Sequence, residues 1–62
     1  MDAHMEMYRG HHLIAKQTAG QVWKACVLES GIVTADFEQA DDALSEARCL
    51  VDEYIERDAW WR

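Results

Sequence analysis

The hydrophobic period changes once along this chain, and that change constrains the fold more than any other feature. From Ala40 onward the apolar residues are Ala40, Ala43, Leu44, Ala47, Leu50, Val51, Tyr54 and Ile55. Steps of three and four draw a single stripe along an α-helix. No Pro or Gly interrupts it. Asp41 and Asp42 fall in the first turn and Arg57 near the end, the signs that the helix dipole favours at each terminus. Gln39 or Asp36 is placed to cap the start, although neither completes a capping box. Arg48 and Asp52 stand four residues apart, a spacing that allows an ion pair along the helix.

Before Ala40 the pattern belongs to strands. Met5 to about Gln17 reads as one strand, with Tyr8, Leu13 and Ile14 suited to a pleated surface. "QTAGQ" follows, and its Gly20 supplies the positive φ of a tight hairpin. "QVWKACVLE" reads as a second strand and, after a turn at Gly31, "IVTADF" as a third. The order is therefore β-β-β-α. The expected fold class is α+β: a three-stranded antiparallel meander with one C-terminal helix packed on one face. Residues 1–62 make one small domain.

One helix covers one face of such a sheet and leaves the other open. If Thr18-Ala19-Gly20 form a three-residue loop, Gln17 pairs with Gln21. His11, Leu13, Ala15, Trp23, Ala25 and Val27 then share the helix face. His12, Ile14, Lys16, Val22, Lys24, Cys26 and Leu28 share the other. A two-residue Ala-Gly loop would instead shift the pairing by one and place Ile14 beside Trp23.

The chain has 62 residues, half of them apolar. A chain of this size buries only about 60% of its unfolded surface and is marginal alone. Small folds gain stability from disulfides, a metal or a partner subunit. Two cysteines allow one disulfide at most, and no apolar run reaches the ~20 residues of a membrane span. No basic-then-apolar leader opens the sequence. The chain reads as cytoplasmic, with reduced thiols. His4-Met5 is the dipeptide that a common cloning site encodes, so residues 1–4 are either a vector-derived, disordered extension or a native start.

A net charge of −6 argues against binding nucleic acid through its phosphates. The six basic residues are scattered and none adjoins another. The order β-β-β-α also matches part of a double-stranded-RNA-binding domain, but that module reads RNA with basic helix and loop residues. Here Glu38, Asp41, Asp42, Glu46, Asp52, Glu53, Glu56 and Asp58 crowd the last third of the chain. A solvated helix face is the plain reading, and an acidic surface for a basic partner the other.

His11 and His12 are adjacent, so a regular strand points them to opposite faces. They cannot ligate one ion together, and no further ligands stand at zinc-like spacings. Cys26 with His12 on one face would suit a thiol nucleophile and its base, or a small metal site. No oxyanion donors or pocket-forming segment accompany them, so no enzyme activity, cofactor or metal is expected. The open face is more informative. Ile14, Val22, Cys26 and Leu28 make an apolar patch rimmed by Lys16 and Lys24. Trp60 and Trp61 end the Trp-rich tail 58–62, packing either within the chain or across an interface. Patch, small core and tryptophans together predict self-association, with a two-fold homodimer as the expected state.

The segment "GIVTADFEQADDALSEARCLVDEYIE" resembles part of the HicB-like antitoxin domains, in which a strand and a Thr precede Glu-Glu-Ala-Leu opening a helix. Gly31, Thr34 and Asp41-Asp42-Ala43-Leu44 carry the likeness, which also extends to small bacterial β-β-β-α proteins. The family's acidic-Leu-Pro-Gly turn is "LESG" here, and the spacing from Thr34 to Leu44 is one residue longer. The resemblance implies a non-catalytic binding domain that dimerises and engages a protein partner. No catalytic residue is carried over by it.

Overall fold

A computed structural model describes the backbone of residues 3–60 and the side chains of residues 3–57. Three antiparallel strands form an open sheet in the order β1 (Ala3–Tyr8), β2 (His11–Gln17) and β3 (Trp23–Val27). One helix, α1 (Ala40–Trp60), follows and packs on the sheet. The α+β architecture expected from the change of period is the one observed.

The strands themselves are divided differently. The stretch read as one strand from Met5 to Gln17 is a hairpin, with Tyr8 opposite His11 and Arg9-Gly10 between them. Both turn residues have positive φ, 51° at Arg9 and 82° at Gly10. This is the backbone of a two-residue type I′ turn, whose twist matches that of the strands it joins. Glycine accepts such a φ without strain, and here it lets a single apolar pattern fold back on itself.

"IVTADF" is correspondingly not a strand. It runs along the outer edge of β3 and touches it through two isolated bridges, Cys26 with Val33 and Trp23 with Phe37. Four residue steps from Val33 to Phe37 face three from Cys26 to Trp23, so the segment carries one residue too many for a regular ladder. Thr34 takes up the mismatch. Its hydroxyl accepts the Ala25 N–H at 3.0 Å, while its own N–H donates to the Ala25 carbonyl at 2.8 Å.

The hairpin between β2 and β3 is also longer than expected. Gln17 pairs with Trp23 rather than Gln21, and residues 18–22 form the loop. A slip of two residues preserves the alternation of faces, so the predicted division of the sheet survives the change of register. Leu13, Ala15, Ala25 and Val27 are all buried against the helix.

Helix α1 contributes Ala43, Leu44, Ala47 and Val51 to the same core, with Tyr8, Trp23, Ile32, Phe37 and Ile55 at its margin. Four of these eight buried apolar residues are alanines, which allow helix and sheet to approach closely. Gln39 occupies the cap position, and its carbonyl accepts the Ala43 N–H.

Candidate interaction surface

The two sides of the sheet differ in chemistry. On the helix side, β1 is tied to α1 by charge. Glu6 accepts two bonds from Arg48, at 2.5 Å from Nε and 3.0 Å from Nη2. Asp52 accepts the Tyr8 hydroxyl at 3.0 Å and the Arg9 guanidinium at 2.7 Å. Arg48 and Asp52 therefore do not pair along the helix as their spacing suggests; each reaches to the hairpin instead. The Arg48 side chain beside Glu6 lowers that carboxyl's pKa, and Arg9 does the same for Asp52. The Tyr8 phenol is shifted upward because it donates to the Asp52 carboxylate.

The adjacent histidines separate to the two faces. His11 meets Tyr54 of α1 edge-on, with ring centroids 6.0 Å apart. His12 lies on the open side, held by Glu29: Oε1 accepts its backbone N–H at 2.8 Å, and Oε2 lies 2.5 Å from its ring Nδ1. Glu29 thus extends the ladder past the end of β3, its carboxylate replacing a main-chain carbonyl. These bonds from His12 hold the Glu29 pKa at about 2, well below its ordinary 4.5. A carboxyl with a lowered folded-state pKa adds stability that is complete above the unfolded value and lost as pH falls through the folded one. The stability difference between the native chain and Glu29→Gln is expected to shrink as pH falls from about 4.5 to 2. Urea unfolding at a series of pH values measures it.

The open side carries a continuous apolar row. Met5 faces Ile14, Ile14 faces Cys26, and Cys26 bridges to Val33. Met7 and Leu28 lie in the neighbouring row on either side of His12. Lys16 and Lys24 stand opposite each other in the row beyond, where Lys24 approaches Asp36 at 3.5 Å. Met5, Met7, Leu28 and Val33 are all more than half exposed.

Of the residues expected at an interface, Ile14, Lys16, Lys24, Cys26 and Leu28 therefore come together on the open side. Val22 does not join their strand. It sits in the β2–β3 loop, where its carbonyl accepts the Thr18 N–H at 2.7 Å. The Trp60 side chain and Trp61 lie outside the described residues. Met5, Met7 and Val33 belong to the surface as well. Sequence reading missed the methionines because it did not divide the first hairpin; Gly10 between Tyr8 and His11 was the available signal.

Small-molecule chemistry finds little to work with on this side. The depression bounded by Ile14, Cys26, Val33, Lys16 and Lys24 is shallow and open, about 150 Å³. Ligand pockets usually enclose about 300–1,000 Å³. Cys26 is half-buried and Cys49 exposed, on opposite sides of the sheet, and both thiols are free. His12, the expected base for Cys26, already has Glu29 at its Nδ1. Among the described residues no three His, Cys, Asp or Glu side chains are grouped to hold a metal ion. Among them, too, no helix is long and apolar enough to cross a membrane.

Compared with models of protein families, with curated proteins and with solved structures, the chain matches none.

Proposed function

We propose that this chain is a small, non-enzymatic protein-interaction module that works as a homodimer in the cytoplasm. One observation carries the reading: the apolar row Met5–Ile14–Cys26–Val33 is open to solvent and runs out to the edge of the sheet at Met5. Contiguous exposed apolar surface on a small domain marks a site of association. Among the described residues the core has eight buried apolar residues, four of them alanine, so a second copy has a stabilising role as well. The likeness to HicB-like antitoxin domains at Gly31, Thr34 and residues 41–44 agrees with a binding role that uses no catalytic residue. The acidic helix and the scattered basic residues favour this reading over nucleic-acid binding.

Sedimentation equilibrium of the purified chain at micromolar concentrations tests the central claim. A mass twice that of the chain is the expected result. A single-chain mass across the whole range would overturn self-association.

A further inference from the structure

The two edges of the sheet are treated differently. The outer edge of β3 is covered. Trp23 exchanges two main-chain bonds with Phe37, Ala25 is bonded twice by Thr34, and the Val27 N–H donates to Ile32. The outer edge of β1 has no neighbour among the described residues.

The direction of the main-chain groups on that edge follows from the ladder. The His12 carbonyl accepts the Leu28 N–H, so on β2 the even-numbered residues turn their main-chain groups toward β3. The odd-numbered residues of β2 then turn theirs toward β1, where His11, Leu13 and Ala15 meet Tyr8, Glu6 and His4. The remaining β1 residues, Ala3, Met5 and Met7, aim their N–H and C=O groups outward. Their side chains lie on the open face, and Met5 and Met7 are 68% and 65% exposed. Natural edge strands are usually protected by Pro, Lys, a bulge or a covering segment. Among the described residues β1 has no Pro, Lys, bulge or covering segment, and its one charged side chain, Glu6, is turned to the helix face and paired with Arg48.

We infer that β1 is the dimer contact: it pairs antiparallel with β1 of a second copy about a two-fold axis at Met5, joining two sheets into one of six strands. This rests on the self-association proposed above and specifies how it is made. In this register Met5 faces Met5, and Ala3 and Met7 face each other across the axis. All three outward donors and all three outward acceptors of each strand are then bonded. On the helix face the imidazole of His4 comes opposite the Glu6 carboxylate of the second copy. A shift of two residues in either direction sets Glu6 against Glu6, or His4 against His4, and takes Ala3 or Met7 out of the paired stretch. A shift of one sets outward groups against inward ones. The chosen register also joins the two apolar rows end to end, from Val33 of one copy through the paired methionines to Val33 of the other.

Met5→Pro tests the contact. The Met5 N–H points away from β2, so proline removes a donor from the outer edge and none from the β1–β2 ladder. Each dimer loses two symmetric bonds and gains a steric block at its axis. Sedimentation equilibrium is expected to show association weakened by at least about tenfold, with the far-ultraviolet circular dichroism unchanged. A native chain that dimerises and a Met5→Pro chain that does so equally well would overturn the edge contact and leave self-association standing. A native chain that stays monomeric would overturn both.

Cysteine pairing decides the matter if proline unfolds the chain. In a Cys26→Ser, Cys49→Ser background, Met5→Cys brings two thiols together across the axis, whereas Met7→Cys leaves them roughly 13 Å apart along the strands. Oxidation is expected to give a covalent dimer with the first and not with the second. Equal cross-linking of both, or of neither, would overturn the register.

Discussion

Leu13→Ala will leave the chain largely unfolded under conditions in which Leu28→Ala remains folded. Leu13 is fully buried on the central strand, opposite Val27 and in the core shared with the helix. Truncating such a leucine costs about 2–5 kcal/mol, from lost transfer energy and from the cavity left behind. Total stability for a chain of this length is roughly 3–9 kcal/mol. The cavity would also close poorly. Ala15, Ala25, Ala43 and Ala47 surround the core with side chains that cannot move in to fill it. Leu28 is 54% exposed on the open side, so its truncation should change folding stability by less than about 0.5 kcal/mol. Urea melts of both variants at one fixed protein concentration measure the difference, since association contributes to apparent stability. Equal midpoints would mean that Leu13 is not at the centre of the core.

The reason Leu13 could be singled out lies in the period of the sequence. A two-residue alternation places Leu13 and Ala15 together, and Ala25 and Val27 together. Any even slip between the strands leaves that grouping intact. The core face was therefore legible even though the predicted register was displaced by two. The helix was legible for a stronger reason: its stripe spans several turns without a Gly or Pro to break it. The strand boundaries were legible only through Gly10. Arg9-Gly10 looks like a continuation because Tyr8 before it and Leu13 and Ile14 after it all favour a pleated surface. Only the positive φ at both positions turns the chain, and a non-glycine residue such as Arg9 gives little sign of adopting one.

The surface was legible in part, for the same cause. Ile14, Cys26, Leu28 and the two lysines follow from alternation along the central strands. Met5 and Met7 depend on β1 being a separate strand, and Val33 on a bridge between non-adjacent segments. The links from the first hairpin to α1, Glu6 with Arg48 and Asp52 with Tyr8 and Arg9, span more than forty residues of sequence. Local spacing favoured an Arg48–Asp52 pair. Such an exposed pair within a helix is worth only about 0.2–0.5 kcal/mol, so competing partners brought close by the fold readily displace it.

Thr34→Val should destabilise the protein by about 1–3 kcal/mol, and by more than Thr34→Ser. Thr34 is 5% exposed and is the buried polar residue among the described core positions. Its hydroxyl accepts the N–H of fully buried Ala25 and donates to the Ala35 carbonyl at 2.8 Å. Valine keeps the shape and the methyl group but accepts nothing, so the Ala25 N–H is left buried and unpaired. Serine keeps the hydroxyl and gives up one methyl, a loss of about 0.8 kcal/mol. The order native, then serine, then valine is the signature of a hydrogen bond rather than of packing. Urea unfolding gives the order, and amide exchange at Ala25 identifies the cause. Its protection should fall in Thr34→Val by more than the global loss of stability and follow the global loss in Thr34→Ser. If valine proves as stable as serine, the segment 32–37 is held against β3 by its main-chain bonds and apolar side chains, without help from the Thr34 hydroxyl. The covered outer edge of β3, which leaves β1 as the strand available for pairing, would then depend on Ile32 and Phe37 rather than on the Thr34 hydroxyl.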